Sequence, residues 1–229
     1  MLRYIRGEVG SAPRPALFLD RDGVLNRHIV DGYVIKPSDF EPVDLALDAA
    51  AAAQTAGAAL VVVTNQGSIG TRKATESQVM VIHALLLAAL KERGIVLDGI
   101  YACPHHPLSP DPKQRDCQCR KPKPGLILAA ARDLNLDLAS SILIGDQPSD
   151  IAAARAAGIA PDRALLVGGA AGTDLAKFVR MKWGQTKVHA RQETAIGPVR
   201  KSGDSLVWCP DDDDSRIPAE RLSRKTFRA

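Results

Sequence analysis

Short, unbroken apolar runs alternate along this chain with longer stretches in which apolar residues return at helical spacing. The runs are "ALFL" at 16–19, "AALVVV" from 58, "DGIYAC" at 98–103, "SILIG" from 141 and "RALLV" from 163, each closed by polar residues or glycine. Runs this short and this apolar predict strands buried on both faces. Between them, "PVDLALDAAAAAQTAG" has a proline near its start and Gly57 at its end, residues 75–93 continue the helical pattern, and "PGLILAAARDLNL" and "PSDIAAARAAG" do the same. These are helix signals with their boundaries attached. Strands alternating with helices predict an α/β fold, a doubly wound parallel sheet covered on both faces. In such sheets ligands sit at the carboxyl ends of the strands, where the strand order reverses. Asp20 and Asp22, Thr64 and Asn65, and Asp146 and Asp150 all follow predicted strands, and Lys121 follows the loop that leaves the third.

The chain of 229 residues is long enough for one sizeable core. Residues 1–13 are expected as an extension, 14–168 as the domain, and 169–229 as a C-terminal extension that is partly disordered or packed as an appendage. Within that extension "GGAAGTD" is flexible in composition and "LAKFVRMKW" reads as a short helix. The rest is polar, with "PDDDDSR" and a basic end, "RLSRKTFRA". The stretches between strands are too short for a large cap domain. No apolar run has the length of a membrane span or the pattern of a signal peptide, so a cytoplasmic protein is expected. The formal net charge of +4 favours anionic ligands, but no clustered basic stripe calls for nucleic acid. A small phosphorylated metabolite acted on by a monomer fits better.

Asp20 and Asp22 stand one residue apart and project the same way if the chain stays extended, with Gly23 allowing a tight departure. Two carboxylates this close either raise one pKa or hold a divalent cation; Mg²⁺ suits an all-oxygen set, and Asp146 can supply a further ligand. With these residues on the page, "DRDGVLN", "VVVTNQ", "CRKPKPG" and "IGDQPSD" resemble the four ordered motifs of the haloacid dehalogenase (HAD) superfamily of phosphatases, over residues 14–168. The resemblance implies a HAD-like Rossmannoid sheet. It also implies that Asp20 is a nucleophile forming an aspartyl-phosphate and that Asp22 is general acid, then base. Mg²⁺ would be held by Asp20, Asp146 and the main-chain carbonyl of Asp22. Thr64 as donor and Lys121 as point charge would stabilise the transferring phosphoryl group, with Asp150 supporting Lys121 or water.

The segment "CPHHPLSPDPKQRDCQC" carries Cys103, His105 or His106, Cys117 and Cys119, in a C-x-H-x11-C-x-C arrangement. Three thiolates and an imidazole make a closed, structural Zn²⁺ site, and the loop 103–119 has little core of its own. Its spacing, with "GYV", "TNQ" and "CPHHP", resembles the subgroup of heptose bisphosphate and histidinol-phosphate phosphatases. That likeness favours His105 over His106 and implies substrate contacts from Asn65, Gln66, Arg120 and Tyr33. Histidinol phosphate is the alternative substrate within the class. A catalytically silent zinc-binding scaffold and a phosphatase of nucleic-acid ends are the alternatives outside it. Cys209 reads as a leftover thiol, and His28, His83 and His189 as solvated or packed.

Overall fold

The computed structural model describes residues 1–6, 11–167 and 174–184. Its strands are β1 (Leu2–Ile5), β2 (Ala16–Leu19), β3 (Ala59–Asn65), β4 (Gly99–Cys103), β5 (Ile142–Gly145) and β6 (Ala164–Leu166). The helices are α1 (Asp44–Thr55), α2 (Gly67–Gly70), α3 (Glu76–Glu92), α4 (Gly125–Leu134), α5 (Pro148–Ala156) and α6 (Leu175–Trp183). The strands form one six-stranded sheet in the order β1-β4-β3-β2-β5-β6.

Period-2 alternation sorts the strand residues into two cores. Leu17 and Leu19 of β2, with Leu60, Val62, Ile100 and Ile144, pack beneath α1, the end of α3 and α6. Phe18, with Val61, Val63, Tyr101 and Leu143, packs beneath α4 and α5. All four residues of β2 are buried, as its near-continuous apolar run requires. The chain runs from β2 outward to β3 and β4, then crosses back to place β5 on the other side of β2. Strand order therefore reverses at β2, and the crevice opens beyond Leu19, where the sequence puts Asp20.

One element differs from expectation and a second, the expected helix at 175–183, is more deeply packed than an appendage. β1 lies in the stretch read as an extension ahead of the domain, yet it pairs antiparallel with β4, Leu2 opposite Ala102 and Ile5 opposite Gly99. The sheet is thus mixed, with one antiparallel edge. Only Leu2 and Tyr4 of that strand are buried, and Arg3 between them reaches Asp133 at 3.2 Å, so its alternation is short and interrupted by charge. α6, placed in the C-terminal extension, packs on α1 with Leu175, Val179 and Trp183 in the core. Trp183 Nε1 donates to the Ser140 carbonyl at 2.9 Å. The expectation for 185–229, with His189 and Cys209, falls outside the described residues. Among the described residues no domain-sized insert interrupts the strands, and no helix is long and apolar enough to cross a membrane.

Candidate active site

The parallel ladder carries the chain to Asp20, whose amide still donates to Ile144 at 3.0 Å. The chain then turns sharply: the Arg21 carbonyl accepts from Leu25 at 2.9 Å and Asn26 at 3.0 Å. Gly23 sits in this turn at φ +86°, and a Cβ there would stand 2.3 Å from Asp146 Oδ2. Only glycine meets both the left-handed backbone and the close approach. Asp146 follows β5 directly. Asp150 lies in the first turn of α5, where its Oδ2 accepts from the Gln147 amide at 2.9 Å. Asp20, Asp146 and Asp150 each bring an oxygen within 4.8 Å of the others. Asp146 Oδ1 is shielded from solvent with no hydrogen-bond partner among the described residues. Burial pushes the Asp20 carboxyl up to about 6; Lys121 opposes the shift, while Asp150 and Asp22 add to it. Clustered carboxylates with an orphaned buried oxygen fit a hard divalent cation.

The counter-charge inside the protein is Lys121. Its Nζ lies 2.6 Å from Asp150 Oδ1 and 3.0 Å from Asp20 Oδ1, and donates to the Val63 carbonyl at 2.8 Å. Burial alone would lower the ammonium's pKa, but Asp20 and Asp150 outweigh it and hold the pKa above its ordinary value. Asn65 brackets the backbone of that lysine, accepting from its amide at 3.0 Å and donating to its carbonyl at 3.1 Å. The Asn65 amide, expected on substrate, is therefore committed to placing Lys121, although the residue borders the cavity.

Asp22 takes no part in the carboxylate cluster. Its oxygens accept from Arg21, from Asn26 Nδ2 at 3.0 Å and from Gln66 Nε2 at 2.9 Å. Burial acts to raise its pKa, but Arg21 above all, with Asn26 and Gln66, brings it below the ordinary carboxylate value. Gln66, expected among the substrate contacts, faces inward instead. It is 1% exposed, its Nε2 is shared between Asp22 and Thr64 Oγ1, its Oε1 accepts from Arg21, and it is absent from the cavity wall.

The cavity at these groups measures about 260 Å³ and is bordered by Asp20, Asp22, Thr64, Lys121 and Asp146 together with Tyr33 and Arg120. Arg120 Nη1 donates to the His105 carbonyl at 2.9 Å, which ties it to the cysteine loop. Lys73 stands 5.3 Å over the Tyr33 ring. The segment "RHIVDGYV", expected to wall the site, does so through His28, Ile29, Tyr33 and Val34, whereas sequence reasoning missed Gln147 and Ser149 at the start of α5. His28, read as solvated or packed, is exposed but borders the cavity. His83 is packed in α3, where burial first, then the Arg21 charge, lowers its ring to about 3.

The second cluster joins Cys103, His105, Cys117 and Cys119 within 4.8 Å. Sulfur–sulfur distances run 3.2, 3.5 and 3.7 Å, and His105 Nδ1 lies 3.3 Å from Cys119 Sγ. A tetrahedron of ~2.3 Å metal–sulfur bonds sets its sulfurs ~3.8 Å apart, so the donor set fits a metal ion. His105, not His106, completes the set. The three cysteines are not disulfide-bonded. The contact with Cys103, then burial, raises the Cys119 thiol, and burial raises Cys117, a penalty that a bound cation would reverse.

A parallel sheet with carboxylates and a buried lysine at its switch point defines a class, and comparison with known proteins agrees on which. The HAD-hydrolase-like family model matches residues 118–187. A putative HAD-like phosphatase from Mesorhizobium loti superposes with a TM-score of 0.71 at 32% identity, covering 79% of this chain and 93% of that one. The chain belongs to the HAD-like hydrolases, and within them it is a phosphatase.

Its curated relatives are more particular. D-glycero-beta-D-manno-heptose-1,7-bisphosphate 7-phosphatase of Yersinia pestis is 43% identical over 146 residues, 63% of this chain and 77% of that protein. The protein of the same name from Escherichia coli K12 is 44% identical over 146 residues, 63% and 75% of the two chains. The D,D-heptose 1,7-bisphosphate phosphatase of B. bronchiseptica, solved with magnesium and phosphate, is 34% identical with a TM-score of 0.59, covering 66% and 79%.

Proposed function

We propose that this protein removes the 7-phosphate of D-glycero-D-manno-heptose 1,7-bisphosphate in two displacements. The substrate rests on the curated relatives' names. The chemistry rests on one observation: Asp20, at the tip of β2, shares Lys121 with Asp150 and lies within cation-sharing distance of Asp146, while Asp22 stands apart from that cluster. A carboxylate of Asp20 attacks phosphorus; the P–O7 bond breaks, and Asp22, which first takes up a proton from solvent against the pull of Arg21, gives it to the departing sugar oxygen. Water then attacks the aspartyl-phosphate, Asp22 takes the water's proton, and phosphate leaves with Asp20 restored.

Asp20, Asp146 and the main-chain carbonyl of Asp22 would hold Mg²⁺, which screens the repulsion between nucleophile and phosphate. Lys121 and Thr64 face the equatorial oxygens as they gain charge. Arg120 and Tyr33 meet the distal part of the substrate, the guanidinium fork suiting its second phosphate. Asn65 and Gln66 act by holding Lys121, Thr64 and Asp22. The cysteine–histidine cluster would hold a structural Zn²⁺, which needs the reduced thiols of a cytoplasmic setting. The enzyme is proposed to act as a monomer on a small metabolite.

The test is kcat/KM with Mg²⁺ on heptose 1,7-bisphosphate and on histidinol phosphate. We expect a preference for the heptose of at least about tenfold, ~1.4 kcal/mol of transition-state binding; a ratio near one would remove the substrate assignment. Asp20→Asn should abolish turnover with the fold and the cluster's zinc content intact, and retained turnover would rule out the covalent route.

A further inference from the structure

One buried charged side chain beside the cavity's aspartates is not used by the chemistry above. Arg21 is fully buried, 0% exposed, between the two aspartates of the site. Its side chain folds back onto Asp22: Nε lies 3.1 Å from Oδ1, and Nη2 lies 3.0 and 2.9 Å from Oδ1 and Oδ2. The same Nη2 donates to Gln66 Oε1 at 3.1 Å and reaches the Val34 carbonyl at 3.4 Å. Gln66 closes the ring by donating to Asp22 Oδ2 and to Thr64 Oγ1, each at 2.9 Å. Asn26 holds the other oxygen from the far side, and its Nδ2 also donates to the Arg27 carbonyl at 2.9 Å. Both Asp22 oxygens are thus held from behind by groups anchored in β3's exit, the turn after β2 and the 29–34 segment.

This arrangement has a cost that structure alone does not require. A buried guanidinium must be paired and hydrogen-bonded to be tolerated, and a neutral residue would fill the same buried space more cheaply. What the pairing accomplishes is directional. The neighbouring carboxylates Asp20, Asp146 and Asp150 converge within 4.8 Å, and an unrestrained Asp22 next to them would swing onto the same cation as a further hard ligand. Ligated that way, it could neither give a proton to a leaving group nor take one from water.

We infer that Arg21, with Gln66 as its lateral brace, is a positioning residue that holds the Asp22 carboxyl apart from the Asp20, Asp146 and Asp150 cluster, in the place from which it exchanges protons. The inference rests on the acid–base reading of Asp22 given under the proposed function. It requires that loss of the brace mimic loss of the acid, selectively for poor leaving groups. An alkoxide leaving group needs the proton, whereas p-nitrophenolate departs without it. Because kcat/KM reports the steps through transfer to Asp20, it isolates that dependence.

The experiment compares kcat/KM for heptose 1,7-bisphosphate and for p-nitrophenyl phosphate in wild type, Asp22→Asn, Arg21→Lys and Gln66→Met, at saturating Mg²⁺. General acid catalysis contributes about 10²–10⁴-fold, so Arg21→Lys should lose about 10²-fold on the sugar phosphate and less than about threefold on the aryl phosphate. A pre-steady-state burst of nitrophenolate should appear, because water activation slows as well. Gln66→Met should show the same selectivity with a smaller loss, and it carries the test alone if Arg21→Lys fails to fold by circular dichroism. Equal losses on both substrates, or none, in the folded brace variants overturn the inference while Asp22→Asn still discriminates. If Asp22→Asn itself does not discriminate, the acid–base reading falls first and the inference with it.

Discussion

At the scale of single residues, the site is built from groups whose burial makes each one depend on its neighbour. Lys121 is the clearest case: 4% exposed, it is the shared partner of Asp20 and Asp150. Lys121→Met should lower kcat by at least about 10³-fold, from lost transition-state charge stabilisation. It should also destabilise the fold by about 3 kcal/mol, because two buried carboxylates are left facing each other; chemical denaturation read beside the kinetics checks both. Gly23→Ala makes a different demand. The φ of +86° and the 2.3 Å approach of Asp146 Oδ2 leave no room for a methyl group, so Asp146 must move. A raised Mg²⁺ requirement, at least about tenfold in the half-activating concentration, is the expected result, and an unchanged titration would show that Asp146 does not need its present position. Asp20, Asp22 and Asp146 were legible in the sequence because strand ends are marked by the end of an apolar run. The inward turn of Gln66 was not, since the sequence shows which residues follow a strand but not which face the next bond selects.

At the scale of elements, legibility followed the length and purity of the apolar pattern. β2 through β5 and the helices α1, α3 and α4 between them announce themselves through uninterrupted runs and helical spacing. β1 does not, because an edge strand buries one side chain in two and this one is four residues long. α6 is amphipathic but stands apart from the strand-helix alternation, and only tertiary packing shows that it completes the core over α1. Trp183 fills that seam and bonds Ser140, so Trp183→Ala should cost about 3–4 kcal/mol, seen as a lowered denaturation midpoint with kcat preserved, since Trp183 does not border the cavity. α3 contributes a pH response. His83 is lowered from 6.5 to about 3 in the fold, so between those values the unfolded chain binds a proton that the native chain does not. Stability must then fall as pH drops through that window. His83→Leu should flatten this part of the stability–pH curve relative to wild type, with the two curves parallel above pH ~7.

At the scale of the whole molecule, one short stretch of chain links the two clusters of metal-ligating residues. Cys119, in the thiol cluster, is followed directly by Arg120, which borders the cavity, and then by Lys121, which bridges Asp20 and Asp150. Arg120 is tied back to the cluster a second time through the His105 carbonyl. The loop between Cys103 and Cys119 has little apolar content and one short 3-10 turn, Pro112–Gln114, so an ion held at its ends would supply much of its order. An ion at the cysteines would therefore fix the register in which Lys121 enters the buried pocket, and Asn65, gripping that lysine's backbone from β3, would complete the hold from the sheet side. Removing zinc with a thiol-competing chelator and then restoring saturating Mg²⁺ separates this role from that of the catalytic cation. Turnover should fall at least about tenfold, with a lowered melting temperature, and return when zinc is added back. Cys119→Ser should behave like the stripped protein without recovery. Full activity in zinc-free protein at saturating Mg²⁺ would mean that the sheet alone positions Lys121, and the coupling between the two clusters would have to be abandoned.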